Sequence, residues 1–404
     1  MIEKYKNVSV IGLGYIGLPT AALLASKGYL VNGMDVNREA VDTINRGQIH
    51  IVEPDLDAYV RSAVTNGKLK ASMEVQPADV YIICVPTPFH TDTEIPTPNL
   101  DYIRVAAENI APHVKDDDIL ILESTSPVGT TDMVREILEK NGVDSSRAYI
   151  AYCPERVLPG RIMSELVDNA RVIGGIDSIS TKVVASFYRS FVSGEILETD
   201  AKTAEMCKLT ENSFRDVNIA FANELSIICD KNGVNVWDLI ELANHHPRVN
   251  VLQPGTGVGG HCIAVDPWFI VSDDPENSRL IKTARNVNDE KPEWVVNKIK
   301  AVADSQKTKK IACLGLAFKP EIDDLRESPA IRVVESLTQQ GYEVCCVEPN
   351  IKDHPKYNLV DIKVALNEFD VIVLLVSHKE FISKVVIREL AGKGVLDFCG
   401  AMSK

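Results

Sequence analysis

A glycine-rich turn, Gly12-Leu-Gly14-Tyr-Ile-Gly17, constrains the fold more than any other part of this chain of 404 residues. It follows an apolar run at residues 8–11 and opens a helical pattern. In such a unit the first glycine allows a tight turn, the second lets a diphosphate approach the backbone, and the third lets helix and strand pack closely. Amides at the helix N-terminus bind the diphosphate. The motif predicts a dinucleotide-binding unit, with Tyr15 and Ile16 among the cofactor contacts.

Polar residues follow the next apolar runs. Asp35 ends the run at residues 30–34, where a carboxylate can accept ribose hydroxyls and repel a 2′-phosphate, so NAD is predicted rather than NADP. Arg38 close by is a further candidate contact, although its charge favours NADP slightly. Ligands bind at the carboxyl ends of strands in an open α/β sheet. That rule adds the candidate cofactor residues that follow the third and fourth strands: Val85, Pro86, Thr87 and Thr125.

The order of elements predicts an α/β fold of two Rossmann-like, doubly wound lobes. Apolar runs at residues 80–85, 119–122, 148–151 and 172–174 alternate with helical patterns, as in a parallel sheet. After a polar break at residues 305–310, the order of strand, glycine turn, helix, Gly-Tyr, strand and acid repeats, ending in Glu348. We expect an NAD-binding domain at 1–198, a central helical domain at 199–303 and a second Rossmann-like domain at 304–404.

A long helix is predicted between the lobes, at residues 203–231, with Gly233 just beyond its end. Its apolar residues recur at helical spacing and predict one stripe, either packed against a domain or against a second subunit: Met206, Leu209, Thr210, Val217, Phe221, Leu225 and Ile228. Lys208, Asn212 and Arg215 share another face. That face is either a solvated surface or part of a site.

The composition excludes several classes of partner. The 43 Lys and Arg against 57 Asp and Glu give a net charge of −14, which argues against nucleic acid and anionic membranes as partners. Residues 7–26 carry no charge, but their central glycines and proline fit the nucleotide turn better than a membrane span. Nine cysteines without a C-x-x-C pattern indicate reduced thiols in the cytoplasm.

One cysteine stands apart from the other eight, which lie in apolar strands, at strand ends or on the long helix. Cys262 lies in a loop rich in glycine, between Gly255 and Asp266, where a substrate can approach a thiol closely. A covalent nucleophile needs such access. A metal site at His261 and Cys262 is the weaker interpretation, since adjacent residues rarely bind one ion and no second cluster exists. No metal is predicted.

In combination these motifs resemble the UDP-glucose/GDP-mannose dehydrogenase family over essentially the whole chain. They are the glycine turn, Ser-Thr-Ser-Pro-Val-Gly, Cys-Pro-Glu-Arg, the Lys-x-x-x-Asn helix, Gly-Gly-His-Cys, and Phe-Lys-Pro with Asp-Asp-x-Arg-x-Ser-Pro. The resemblance implies oxidation of a nucleotide-sugar C6 alcohol to a carboxylate with two NAD, for surface polysaccharide precursors in bacteria. The closer matches, around Cys153, Thr203 and His245, imply UDP-N-acetyl-D-mannosamine as substrate.

The resemblance also implies residue roles. Cys262 would carry the thiohemiacetal and thioester, and Lys208, helped by Asn212, would stabilise the oxyanions or act as general acid/base. Asp266 would assist proton transfer, while Thr125 and Glu155 would position the water that hydrolyses the thioester. The nucleotide sugar would be held by Lys208, Asn212, Arg156, Val157, Arg215, His246, Arg248 and Gly259. Phe318, Lys319 and Arg326 would bind the nucleotide or cofactor phosphates, and Arg248 would reach the neighbouring active site of a homodimer.

Alternatives stay open at the level of sequence. UDP-glucose dehydrogenases usually carry a second acid four residues after the match to Glu155, and Pro159 stands there in this chain. UDP-glucose is therefore a weaker substrate candidate, and UDP-N-acetylglucosamine differs from the first choice by one epimeric centre. A 3-hydroxy-acid dehydrogenase would form one NADH per product and would not need Cys262. A non-catalytic nucleotide-sugar sensor would have no use for that thiol.

Overall fold

We describe the protein from a computed structural model. The structure describes residues 4–90, 92–260 and 262–402, so His261 of the cysteine loop lies outside the described residues. The chain divides into two compact units, Met1–Thr210 and Glu211–Lys404. The predicted α/β class is confirmed, while the division into three domains stays a prediction.

Unit 1 is built on an eight-stranded sheet flanked by helices. The strands of unit 1 are β1 (Asn7–Ile11), β2 (Leu30–Met34), β3 (Leu69–Ser72), β4 (Val80–Ile83), β5 (Phe89–His90), β6 (Thr97–Pro98), β7 (Ile119–Leu122), β8 (Tyr149–Tyr152), β9 (Arg171–Gly175) and β10 (Ile196–Asp200). The helices are α1 (Gly17–Ser26), α2 (Arg38–Asn45), α3 (Leu56–Thr65), α4 (Asp101–Ile110), α5 (Thr130–Lys140), α6 (Ile162–Asp168) and α7 (Ser178–Tyr188), and α8 (Ala201–Asn232) runs on into unit 2.

The sheet order is β10-β9-β8-β7-β4-β1-β2-β3, with strands β5 and β6 pairing as a separate ribbon. All neighbours in the large sheet run parallel except β8 and β9. Strands β4 and β7 are buried along their whole length, because helices cover both faces of a parallel sheet. Strands β3 and β10 are absent from the sequence prediction, since neither forms a continuous apolar run.

Unit 2 repeats the pattern on a smaller scale after the end of α8 and three further helices. Its helices are α9 (Val236–Asn244), α10 (Asp266–Asp273), α11 (Arg279–Ser305), α12 (Pro329–Gln339), α13 (Ile362–Glu368) and α14 (Lys384–Ala391). Its strands are β11 (Lys310–Leu314), β12 (Glu343–Val347), β13 (Val371–Leu374) and β14 (Leu396–Asp397), in the parallel order β12-β11-β13-β14. The glycine turn after β11 and the acid after β12, Glu348, therefore occupy the places that the internal repeat predicts.

Helix α8 buries several of its polar residues and exposes several of its large apolar ones. Phe214, Phe221 and Ile228, each seven residues apart, are 68%, 57% and 50% exposed. Asp216 and Asn223 on the opposite side are fully buried. The predicted apolar stripe is therefore divided, with Leu209 buried and Phe221 and Ile228 exposed. Hydrogen-bonding partners from distant helices make the side of Asp216 and Asn223 the inner one. In the part of the chain that the structure describes, no helix is long and apolar enough to cross a membrane.

Candidate active site

The glycine turn in unit 1 has the geometry that a dinucleotide site needs. Gly12 has a φ of +92°, which glycine adopts without strain. A Cβ atom on Gly17 would lie 1.7 Å from the Gly12 carbonyl oxygen, so only glycine lets α1 approach β1 this closely. A Cβ atom on Gly14 would meet no atom within 4 Å, which leaves that face open to a diphosphate. The N-cap residue of α1, Ile16, has no side-chain acceptor that could compete for the helix amides.

Asp35 stands beside this turn. Its Oδ2 accepts a hydrogen bond from Leu13 N at 2.8 Å, and its Oδ1 accepts one from Asn37 N at 2.8 Å. These bonds orient the carboxylate, and its remaining lone pairs can accept ribose hydroxyls. Arg38 follows as the exposed first residue of α2. The residues of this edge therefore fit NAD.

The loops after β4 and β7 are joined by hydroxyl groups. Thr87 Oγ1 donates to the Thr125 carbonyl oxygen at 2.7 Å, and Ser124 Oγ donates to the Val85 carbonyl oxygen at 2.7 Å. Strands β4 and β7 are neighbours in the sheet. Four of the residues predicted at these loops are thus brought together: Val85, Pro86, Thr87 and Thr125.

Lys208 of α8 is held by the backbone of the Cys-Pro-Glu-Arg segment. Its Nζ donates to the Glu155 carbonyl oxygen at 2.8 Å. The Glu155 carboxylate is buried, with Oε2 2.5 Å from Arg171 Nη1 and Oε1 accepting from Arg156 N at 2.6 Å. Glu155 therefore lies in a buried ion pair and places the carbonyl group that receives Lys208.

Arg171, which none of the sequence motifs predicts as a site residue, lies in a cluster of buried polar side chains. Tyr188 Oη donates to Glu123 Oε1 at 2.5 Å, and Cys84 Sγ donates to Glu123 Oε2 at 3.2 Å. Burial, together with the charge of Glu155, raises the pKa of Glu123. The signal was available in the sequence, since Arg171 is a charged residue at the head of a strand that is otherwise apolar and small.

A second missed residue, Glu205, fixes the start of α8. Its fully buried carboxylate accepts hydrogen bonds from Gly129 N at 2.6 Å, from Thr131 N at 2.7 Å and from Thr131 Oγ1 at 2.6 Å. These donors lie at the N-terminus of α5, where a carboxylate is stabilised by the helix dipole. Because Lys208 follows one turn later on α8, this contact also anchors the part of α8 that carries the lysine.

In unit 2 the cysteine loop leads directly into α10. Cys262 is exposed, and its carbonyl oxygen accepts hydrogen bonds from Val265 N at 3.0 Å and Asp266 N at 2.8 Å. Asp266 is buried, and its Oδ2 accepts from Asn212 Nδ2 at 2.5 Å. The Cys153 thiol differs from the exposed Cys262 thiol, because it is buried and burial raises its pKa to about 12. The exposed thiol thus lies one helical turn from an acid that an amide holds in place.

The same loop packs against the segment that follows β11. A Cβ atom on Gly259 would lie 2.5 Å from the Glu327 carbonyl oxygen and 2.8 Å from Phe318 Cβ. Gly260 N donates to the Arg326 carbonyl oxygen at 3.2 Å. The Arg326 side chain pairs with Asp324, with Nη2 to Oδ2 at 2.6 Å, and remains about half exposed. Lys319 is half-buried beside Phe318.

Three of the predicted substrate-binding residues lie outside these hydrogen-bonded groups. Arg215 is exposed on α8, and His246 and Arg248 are exposed in the loop after α9, where His246 Nδ1 accepts from Arg248 N at 3.3 Å. Arg156 donates through Nη1 to the Ala170 carbonyl oxygen at 3.3 Å, and Val157 follows it half-buried.

Among the residues that the structure describes, one group of side chains has the ligand types of a metal site: Glu321, His378 and Glu380. However, His378 Nδ1 accepts from Glu321 N and its Nε2 lies 3.2 Å from Glu348 Oε2, so both ring nitrogens are engaged within the fold. This group gives no support for a resident metal.

A dinucleotide-binding sheet of this type is typical of NAD-dependent dehydrogenases, and comparison with known proteins places the chain among them. Residues 6–192 match the NAD binding domain of the UDP-glucose/GDP-mannose dehydrogenase family, residues 202–290 its central domain and residues 312–404 its UDP binding domain. The chain belongs to this family and is an NAD-dependent oxidoreductase of nucleotide sugars.

Individual members of the family are similar to this chain over nearly its whole length. The chain is 56% identical to a UDP-N-acetyl-D-mannosamine dehydrogenase of Yersinia pestis, over 94% of this chain and 95% of that protein. It is 53% identical to an NDP-N-acetyl-D-galactosaminuronic acid dehydrogenase of Ralstonia nicotianae, over 99% and 97%. The solved UDP-N-acetyl-mannosamine dehydrogenase of Staphylococcus aureus is 40% identical with a TM-score of 0.89, covering 98% of this chain and 95% of that one.

Proposed function

We propose that this protein oxidises the C6 alcohol of UDP-N-acetyl-D-mannosamine to the carboxylate, with two NAD consumed per product. The observation that carries the proposal is the exposed thiol of Cys262, one turn before Asp266, whose carboxylate is held by Asn212. A simple alcohol dehydrogenase has no need of such a thiol, whereas oxidation of an aldehyde to an acid needs a covalent or hydrated carrier. Relatives with this substrate in their names support the choice of sugar.

NAD, when bound, supplies the hydride acceptor for both oxidations. Gly12, Gly14, Gly17 and Asp35 would hold it. Lys208, directed by the Glu155 carbonyl group, would stabilise the alkoxide that forms as the C6 hydroxyl loses its proton.

In the covalent stage the Cys262 thiolate adds to the C6 aldehyde and gives a thiohemiacetal. Loss of a hydride from C6 gives a thioester, and water then cleaves the bond between carbon and sulfur, releasing the acid and the thiol. Asp266, oriented by Asn212, would move the protons of these steps. Thr125 and Glu155 would position the water.

The stoichiometry of the reaction tests this scheme. We expect two NADH per acid formed by the wild type and almost complete loss of acid formation by Cys262→Ala. A ratio of one NADH per product with normal activity of Cys262→Ala would refute the thioester scheme and favour a 3-hydroxy-acid dehydrogenase.

The identity of the sugar substrate needs a separate test, because relatives named for two different sugars share nearly the same sequence identity with this chain, 53% and 56%. The purified protein should be offered UDP-N-acetylmannosamine, UDP-N-acetylglucosamine, UDP-N-acetylgalactosamine and UDP-glucose with NAD. We expect the highest kcat/KM for UDP-N-acetylmannosamine. If another sugar gave NADH and this one gave none, the choice of substrate would be wrong.

We also propose that two copies of the chain associate through the outer face of α8. Phe214, Phe221 and Ile228 form an exposed apolar row with heptad spacing, and such rows pack against a second helix. Exposed Arg248 would then complete the site of the partner. An equal mixture of the inactive variants Arg248→Ala and Cys262→Ala should restore about a quarter of the activity. Half of the dimers are then mixed, and one of the two sites in each mixed dimer is intact. No restored activity after proven exchange of subunits would contradict this arrangement.

The nine thiols fit a reducing compartment such as the cytoplasm.

A further inference from the structure

A chain of buried polar side chains connects the two ends of the cysteine loop. At its first end, Gly255 N donates to Asn223 Oδ1 at 2.8 Å. Asn223 Nδ2 then donates to Asn288 Oδ1 at 2.9 Å. Asn288 Nδ2 donates in turn to Asp216, to its Oδ1 at 2.8 Å and to its carbonyl oxygen at 3.0 Å. These contacts run between α8 and α11.

At the other end, Arg285 closes the chain. Its Nη1 lies 2.5 Å from Asp216 Oδ1 and donates to the Ile263 carbonyl oxygen at 3.3 Å. Ile263 directly follows Cys262. The loop that carries the thiol is therefore held at both ends by one connected set of side chains.

The amide orientations in this set are required by their neighbours. Gly255 N can only donate, so the oxygen of Asn223 faces it and the NH₂ group faces Asn288. Asn288 must then present its oxygen to Asn223 and its NH₂ group to Asp216. Reversing either amide would place donor against donor. The arrangement is a single pattern in which each member fixes the next one.

Because these four side chains are buried, the loss of any one of their hydrogen bonds would be costly. Asp216, Asn223 and Arg285 are 0% exposed and Asn288 is 1% exposed. An unsatisfied buried polar group costs about 1–3 kcal/mol, and more if it is charged. Nonpolar residues of similar size would bury these helix faces at lower desolvation cost. A specific geometrical role explains the polar set better than stability does.

We propose that Asn223, Asn288, Asp216 and Arg285 are positioning residues, which fix the loop between Gly255 and Ile263 so that the Cys262 thiol is held for attack on the aldehyde. This inference rests on the proposed function, since it assigns a role toward the thiol that the proposed reaction uses. The four residues act through the loop backbone and are not themselves in the reaction.

Removing a central member of this hydrogen-bonded set of side chains tests the inference. Asn288→Ala removes the links to both Asn223 and Asp216, and Asn297→Ala is the matched control, being an exposed asparagine on the same helix. The first readout is the rate of Cys262 alkylation by iodoacetamide in the full-length protein without substrate. We expect at least a threefold change for Asn288→Ala and none for Asn297→Ala.

The second readout separates positioning from general damage. We expect Asn288→Ala to lower kcat for oxidation of the UDP-sugar aldehyde at least tenfold, with KM changed less than twofold. Asn288→Gln, which keeps the amide on a longer stem, should recover part of the rate. If Asn288→Ala does not fold, the same two measurements can be made on Arg285→Lys. This variant keeps a cation beside Asp216, but its shorter side chain no longer reaches the Ile263 carbonyl oxygen.

The outcomes distinguish the two proposals. Alkylation and kcat equal to wild type in a folded Asn288→Ala protein would overturn the positioning role, even if its melting temperature fell. Normal acid formation by Cys262→Ala would instead refute the proposed function, whatever the alkylation rates.

Discussion

Gly17 at the start of α1 and Gly14 in the turn before it allow a prediction that separates folding from cofactor binding. A Cβ atom at position 17 would lie 1.7 Å from the Gly12 carbonyl oxygen and 2.9 Å from its carbonyl carbon, both of them backbone atoms. Neither can rotate away, so Gly17→Ala must move α1 away from β1. At position 14 a Cβ atom would contact nothing within 4 Å.

The magnitudes follow from these distances. Overpacking of this kind costs about 1–3 kcal/mol, and the upper end applies because backbone is displaced. Replacing a helical glycine by alanine returns up to about 1 kcal/mol, which leaves a net loss of roughly 2 kcal/mol. For a unit of this size that loss lowers the melting temperature by about 4–8 °C. Gly14→Ala should stay within about 0.5 kcal/mol of the wild type.

Cofactor binding should show the opposite order. The methyl group of Gly14→Ala would stand where the diphosphate approaches, so we expect NADH to bind at least tenfold more weakly, which is about 1.4 kcal/mol. Thermal melting by circular dichroism and NADH titration calorimetry measure the two effects. Wild-type NADH affinity for Gly14→Ala, or a wild-type melting temperature for Gly17→Ala, would refute the reasoning.

Three further predictions concern charged groups. Arg171→Met leaves the buried Glu155 carboxylate unpaired and should destabilise the protein to urea by about 3–5 kcal/mol; the double variant with Glu155→Gln should recover at least half, and no recovery would contradict the ion-pair explanation. Burial lowers the pKa of Lys291 to about 7, so the full cost of burying its charge opposes folding below pH 7. This cost falls as the pH rises from 7 toward the ordinary lysine pKa of about 10.4. Lys291→Met should therefore gain about 2 kcal/mol more stability at pH 6 than at pH 9, measured by melting at both pH values, and an equal gain at both would count against it. Asp35→Asn keeps an acceptor for Leu13 N but removes the charge, so the preference for NAD over NADP in kcat/KM should fall at least tenfold, about 1.4 kcal/mol; an unchanged preference would exclude Asp35 as its source.

The sequence was sufficient where the physical cause is local. The turn at Gly12 to Gly17, the acid at Asp35 and the buried strands β4 and β7 all follow from short-range patterns of glycine, charge and continuous apolar residues. The repeat that ends in Glu348 could be recognised for the same reason. Each of these features is defined by neighbours in the chain.

The sequence was insufficient where residues far away in the chain determine which side of a helix is buried. Asp216 lies inward only because Arg285 and Asn288 meet it from 69 and 72 residues away. Glu205 is buried because the N-terminus of α5, 74 residues earlier, supplies its donors. Helical periodicity separates two faces of α8, but it does not tell which of them is covered.

The outward row of Phe214, Phe221 and Ile228 has a consequence for how stability should be measured. A second chain that covers this row binds the folded form and not the unfolded form, so mass action links unfolding to association. The melting temperature should then rise with protein concentration, and dilution alone should weaken the fold. Values obtained for different variants are comparable only at one concentration, and a change at the outer face of α8 can alter them without touching any buried contact.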